Sequence, residues 1–310
     1  MAFSFVPKDT KIDFVGFRFV TFGIALLFII LGTLGYIKGL NFGIDFKGGH
    51  LIEVHLDQEP QMDTLRQNLH DLGLGDVTVQ QAGSPQDLMI KIELQNDQSQ
   101  QENAIAKIKS VLGENQDYRK ISTVGPKVGE ELIANALNAI LLSLLCMMLY
   151  IAFRFEWQFA VCALTALFHD CIAILCLFAW TKLEFNETSV IAILITAGYS
   201  INDTIVIFDR IRENLKRYRK MDLAELINKS LNETLSRTVM TATTTLLALV
   251  ALYIWGGSVI SSFSLPIIIG IMIGSFSSIC LAAPLLLYLN IRKDDGLEND
   301  KKEAKDVAAS

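Results

Sequence analysis

TSVIAILITAGYSINDTIVIF, residues 188–208, reads as one membrane-crossing helix with a single charged side chain, Asp203, inside it. A carboxylate at that depth costs roughly 2.5 to 3.5 kcal/mol on insertion scales, so it needs a partner, a water path or a proton. The stretch therefore points to a membrane protein that moves ions or uses their gradient.

The rest of the chain fits that reading. Hydrophobic residues make up 51% and charged residues 19% of the 310 residues, and the mean hydropathy is +0.39, values that stand apart from those of soluble domains. Residues 19–37, 132–153 and 238–291 carry no charge at all. About 20 apolar residues make one helical crossing, so the last stretch holds two, folding back at Gly256, Gly257 and Ser258. Six spans follow, near 19–38, 133–153, 158–180, 189–208, 238–255 and 264–288. The last five form a bundle within 132–290.

Lys and Arg in short loops resist translocation. They gather on one side: Lys8, Lys11, Arg18, Arg154, the run Arg210, Arg212, Lys216, Arg217, Arg219 and Lys220, then Arg292 and Lys293, against Lys182 alone on the other. Both termini are expected in the cytoplasm, with residues 1–18 as the N-terminal segment and the Asp-, Glu- and Lys-rich 291–310 as a solvated tail. The first span is expected to remain as an anchor, because its charge-free run is longer than a signal-peptide core and no small-x-small cleavage pattern follows. Cys146, Cys162, Cys171, Cys176 and Cys280 all lie in expected spans and read as packing residues rather than disulfides or metal ligands.

Residues 39–131 are expected to be exported as one soluble unit. Strand 50–56, helix 62–72, strands 76–81 and 88–94, helix 100–112 and strand 118–124 give β-α-β-β-α-β, the ferredoxin-like order. His50, His55 and His70 are scattered, and neither a catalytic triad nor a Cys/His metal cluster is evident there. The fold class is a polytopic α-helical membrane protein with six spans and one exported α+β domain. No enzyme activity, cofactor, metal or nucleic-acid partner is called for.

Chemistry concentrates in the membrane. Thr196, Ser200 and Asp203 stand at i, i+4 and i+7, one polar stripe on an apolar helix, with Asn202 about 100 degrees round from Asp203. Hydroxyls alone serve to join helices; a carboxylate asks for more. His169 and Asp170 put two further ionisable groups in the third span, and as neighbours they cannot both face Asp203. A structural hydrogen bond is the alternative for His169. Arg237 opens the fifth span and begins a stripe with Thr241, Thr244 and Thr245. An arginine at a boundary is ordinarily a snorkelling anchor, but its long side chain can reach Asp203. Near Arg237 the carboxylate stays ionised; moved away, burial favours its protonated form, so repeated protonation could drive a cycle fuelled by a gradient rather than ATP. In the sixth span Gly270, Gly274, Ser278 and Ala282 repeat every four residues, a small-residue seam expected to serve packing rather than chemistry. Between the fourth and fifth spans, Asp222 and Glu225 form a D-x-x-E start for a short helix with Leu223, Leu226 and Ile227 on one side, suited to lie on anionic membrane lipid.

GYSINDTIVIFDRIREN at 198–214, NETLSRTVMTATTTLLALVAL at 232–252, GIDFKGGH at 43–50, VGPKVGEEL at 124–132 and GSFSSICLAAPLL at 274–286 resemble the SecD/SecF family of protein-export membrane proteins, within the resistance-nodulation-division superfamily. GSFSS departs from the family's usual threonine-tyrosine wording. The resemblance implies a bacterial inner-membrane subunit that pairs with SecD and assists secretory polypeptides through the SecYEG channel. It also implies proton relay by the aspartate of the NDT motif, Asp203, and the arginine of the SRT motif, Arg237. Superfamily transporters have two six-span halves, and this chain supplies one, so a partner is expected to supply the other. Half of a small-molecule or lipid exporter, or a passive scaffold, are the competing readings.

Overall fold

Helix after helix in this chain outruns its apolar stretch. The computed structural model describes residues 10–289 except Asp76, Gly83, 94–97 and Glu114, together with Ile291. Lys8, the first residue of the expected strand 76–81, the last of 88–94, Arg292, Lys293 and the tail beyond lie outside the described residues. In order come α1 (Arg18–Lys38), β1 (Asn41–Phe42), α2 (Ile44–Lys47), β2 (Gly49–His55), α3 (Met62–His70), β3 (Val77–Gln81), β4 (Asp87–Glu93), α4 (Gln98–Leu112) and β5 (Asp117–Val124). There follow α5 (Pro126–Arg154), α6 (Trp157–Thr181), β6 (Glu184–Phe185), α7 (Glu187–Arg217), α8 (Leu223–Trp255) and α9 (Gly257–Ser277). A π-helical turn (Ser278–Ala282), α10 (Ala283–Leu285) and a 3-10 turn (Leu286–Tyr288) complete the last span.

Among the described residues six helices are long and apolar enough to cross a membrane, in the expected order, and the chain is a multi-pass membrane protein. Two expectations about them need correction. The short interfacial helix after Asp222 is not separate: Asp222 caps it by accepting from the Ala224 amide at 3.0 Å, but no Gly or Pro interrupts the chain before Trp255, so it runs on as α8. Arg237 therefore sits inside a helix rather than at its start. Likewise α7 continues past Phe208 to Arg217, which places Asp203 at mid-helix instead of near the end. The fold-back lies where the small residues put it, with α8 ending at Trp255 and Gly257 at φ 76°. The sixth span starts earlier than 264, with Pro266 inside α9.

Residues 49–124 form a four-stranded sheet in the order β3-β4-β2-β5, every neighbouring pair antiparallel. β2 buries alternate residues, Ile52 and Val54, as a period-two strand with one covered face must. These pack with Leu88, Ile90 and Ile92 of β4 and with Leu65, Leu69, Ala104 and Ile108 of α3 and α4. Burying each large aliphatic side chain stabilises the sheet by about 1.5–3 kcal/mol.

The corner joining this sheet to the membrane helices was legible only as a family motif. GIDFKGG folds into α2, with Gly48 at φ 86°. A Cβ on Gly129, in the first turn of α5, would collide with the Phe46 carbonyl, so α2 can lie directly on α5. β1 pairs in parallel with β6, the loop between α6 and α7. Beside them the buried Lys91 Nζ on β4 donates to Glu184 Oε1 on β6 at 2.7 Å, tying the sheet to the residues that lead into α7. There Asn186 and Ser189 form a reciprocal capping box.

In the membrane half α6 and α7 are the inner helices, while α1, α5 and α8 expose most of their surface. α1 reaches α6 through glycine: a Cβ on Gly35 would lie 2.7 Å from Ala179 Cβ. Cysteines are free throughout, with Cys162 and Cys176 buried in α6 and Cys146 exposed on α5.

Lys91→Met leaves the Glu184 carboxylate with its cationic partner removed, a loss of about 1–3 kcal/mol. Faster proteolytic cleavage within 39–48 is the expected result, with recovery in the Lys91→Met/Glu184→Gln double variant. Equal cleavage of single variant and parent would show that the clasp holds nothing.

Candidate functional site

α7 and α9 cross on a seam of small residues. A Cβ on Gly270 would run into the Thr196 side chain, and one on Gly274 would lie 2.9 Å from Ser200 Cβ. One repeat further, Thr204 Oγ1 and Ser278 Oγ share a hydrogen bond at 2.8 Å, and Ser278 Oγ also donates to the Ser200 carbonyl at 3.1 Å. The small-residue stripe of the sixth span thus meets the polar stripe of the fourth within one chain.

That crossing decides what each carboxylate touches. Asp203 is 3% exposed, and Ser275 Oγ of α9 donates to its Oδ2 at 3.3 Å. Arg237 is exposed, and among the described residues no ion pair joins it to Asp203, although its charge acts on that carboxylate. The expected direct Asp203/Arg237 contact is therefore not made in this conformation. Its cause is geometric: Arg237 lies within α8 and faces outward, while Asp203 faces α9. Thr241 and Thr245 bond within their own helix. Their hydroxyls donate to carbonyls of their own helix, Thr238 O and Thr241 O, each at 3.0 Å, as hydroxyls in apolar helices do. Asn202 is exposed and takes no part in the seam.

Among the described residues no contact joins Asp170 to Asp203 either. Both it and His169 are fully enclosed in α6, and His169 Nδ1 lies 3.0 Å from Asp170 Oδ1. Asp170 Oδ2 accepts from Ser200 Oγ at 2.6 Å and from Ser277 Oγ at 2.9 Å. The sixth span was expected to serve packing alone, and this overturns it: Ser275 and Ser277 supply a donor to each buried carboxylate. A reading of spacing missed them because a serine in a small-residue seam looks the same whether or not an acid lies opposite.

A second set of contacts holds the C-terminal end of α7 to the N-terminal part of α8. Arg210 Nε donates to Glu233 Oε2 at 2.7 Å, and Asn214 Nδ2 to the same oxygen at 2.8 Å and to Ser230 Oγ at 2.9 Å. The basic run thus spends Arg210 on helix pairing. Among the described residues no three His, Cys, Asp or Glu side chains gather as metal ligands.

A family described as protein export membrane protein SecD/SecF, C-terminal, matches residues 104–292. This chain belongs to the SecD/SecF family. The SecD/SecF GG motif matches residues 34–60, the corner containing α2. A protein translocase subunit SecF of Rickettsia bellii (strain OSU 85-389) is 46% identical over 294 residues, covering 93% of this chain and 96% of the relative. That of Rickettsia prowazekii (strain Madrid E) is 44% identical over 294 residues, 93% of this chain and 94% of the relative. The crystal structure of SecDF, a translocon-associated membrane protein from Thermus thermophilus, superposes with a TM-score of 0.77 at 36% identity over 91% of this chain. This chain spans 39% of that SecDF chain. SecDF in its super-membrane-facing form gives a TM-score of 0.70 at 35% identity, covering 97% of this chain and 40% of the other.

The seam can be tested by volume. Gly270→Val forces the Thr196 side chain out of the crossing, and overpacking of this kind costs about 1–3 kcal/mol. A clear drop in thermal midpoint of the detergent-solubilised protein is expected, whereas Gly23→Val, at a glycine with open space around it, should leave the midpoint unchanged. Similar behaviour of the two variants would contradict close packing at Gly270.

Proposed function

We propose that the chain acts as the SecF-type subunit of a SecD/SecF complex, using the proton gradient to assist movement of secretory polypeptides through the SecYEG channel. The observation that carries this reading is Asp203: a carboxylate on the fourth membrane helix, 3% exposed, with a neutral hydroxyl at 3.3 Å as its hydrogen-bond donor and, among the described residues, no ion pair to Arg237. A carboxylate so placed is held by little that opposes protonation, and an approach of Arg237 would favour its charged form. Protonation and release alternate as Arg237 recedes and approaches. Each proton crossing the membrane releases roughly 2.3 kcal/mol per 100 mV.

The relatives named SecF and the solved SecDF chains, of which this one matches about 40%, support SecD as a partner. The uncovered apolar faces of α5 (Leu137, Leu141, Leu145) and α8 (Leu247, Ile254) offer it a surface. We read residues 49–124 as a ferredoxin-like domain in the periplasm, both termini as cytoplasmic, and the membrane as the bacterial inner membrane, on the strength of the Lys and Arg distribution. Thr196, Ser200 and the glycines of α9 are the packing that keeps Asp203 enclosed. Membrane lipid and the translocating polypeptide complete the partners.

In cells depleted of the parent protein, Asp203→Asn and Arg237→Lys should each leave unprocessed secretory precursors accumulated, at normal levels of membrane-inserted protein. Precursor processing at the parental rate in both variants would rule out proton relay by this pair.

A further inference from the structure

We propose that His169 and Asp170 form a second proton-binding site within the membrane, in which the added proton sits on Nε2 of His169. Ser200 Oγ at 2.6 Å and Ser277 Oγ at 2.9 Å donate to Asp170 Oδ2, and Nδ1 of His169 lies 3.0 Å from Oδ1. With Nδ1–H donating and the carboxylate ionised, the pair holds one proton and a net negative charge in apolar surroundings. One more proton neutralises it. Two neutral arrangements put the added hydrogen on Nε2, imidazolium against carboxylate, or imidazole accepting at Nδ1 from the carboxylic acid; a third, with the acid proton on Oδ2 donated to Ser200 Oγ, leaves Nε2 bare and is the one the proposal rejects. Nε2 is buried and makes no hydrogen bond. Buried polar atoms are ordinarily paired; Nε2 of His50 is left in the same way, but its Nδ1 meets the Thr123 hydroxyl, whereas that of His169 meets a buried carboxylate. Here one nitrogen is left for a proton that can come and go.

The elements around the pair contribute few other charges. From α1, Phe28 meets the His169 ring edge-on at 6.1 Å, and no acid or base stands between Arg18 and Lys38. α5 has none between Glu131 and Arg154, and α9 with its π turn has none. α7 brings Asp203, and α8 brings Arg237. Cys171 adjoins the pair on α6.

The two carboxylates are read by the same stretch of α9. Ser275 bonds Asp203 and Ser277 bonds Asp170, and the π turn begins at the next residue, Ser278. Such turns recur at functional sites. Protonation of the pair reduces the pull of Asp170 on Ser277 at the point where α9 already changes its winding. The site stands on the contacts of Asp170 and His169 and does not depend on whether Asp203 titrates.

The chain has four histidines, His50, His55, His70 and His169, so nitrogen NMR of the 15N-histidine-labelled chain, assembled with its partner subunit in vesicles, can follow each one. A signal absent in His169→Gln should pass from bare to protonated Nε2 as the pH falls, and should do so also in Asp203→Asn. Ser200→Ala and Ser277→Ala each remove a donor that favours the ionised carboxylate, so each should move the midpoint upward by roughly one pH unit, a tenfold gain in proton affinity. These two variants keep the histidine and serve as the test even if His169→Gln does not fold. A His169 ring that keeps one protonation state throughout, or a midpoint indifferent to both serines, overturns the proposal. Either result could coexist with loss of secretion in Asp203→Asn, which keeps the two readings separable.

Discussion

Two carboxylates survive inside an apolar bundle because α9 approaches α7 closely enough for serines to reach them. Gly270 and Gly274 remove the side chains that would keep the helices apart. Ser275 and Ser277 then fall opposite Asp203 and Asp170. In lipid, apolar side chains gain nothing by leaving the solvent, so helix association rests on close packing and on hydrogen bonds of this kind. Packing and polar chemistry are therefore one arrangement in this seam. A bulky residue at Gly274 would disturb the surroundings of both acids at once.

A second constraint connects the membrane to the soluble sheet. α2 lies against the start of α5, β1 pairs with β6, and Lys91 closes onto Glu184 just before the capped start of α7. Any displacement of the sheet is thus applied to the first turn of the helix that carries Asp203. α7 runs unbroken from Glu187 to Arg217, and at its far end Arg210 and Asn214 hold α8 through Glu233. A rigid rod anchored to the sheet at one end and to the arginine-bearing helix at the other is a mechanical basis for coupling motion outside the membrane to the Asp203 surroundings.

Legibility in the sequence followed the physics of each feature. Charge-free runs report directly on hydrocarbon, so six spans in order could be read from them. Alternation in strands such as HLIEVH reports on a half-covered sheet, and the β-α-β-β-α-β order was readable for that reason. Helix ends were not, because α7 and α8 continue into water through residues such as Arg210 and Glu225 that are good helix formers without being apolar. Asp203 stood out because a charge in an apolar run is expensive. Its contact in this conformation was not legible, because reach along a sequence says nothing about facing: Arg237 is exposed on α8, and a serine on a different helix donates to the carboxylate. The Lys91–Glu184 clasp joins residues far apart in the chain, and no local pattern announces such a pair.

The central claim is that Asp203 carries protons while the complex works. Proton movement across the membrane of vesicles holding the assembled complex and the translocation channel, followed with a trapped pH-sensitive dye during transit of a secretory polypeptide, tests it most directly. The account predicts a proton flux opposite in direction to the polypeptide that begins with transit and disappears in Asp203→Asn. An equal flux in that variant, or transit of the parent with no flux at all, would contradict it.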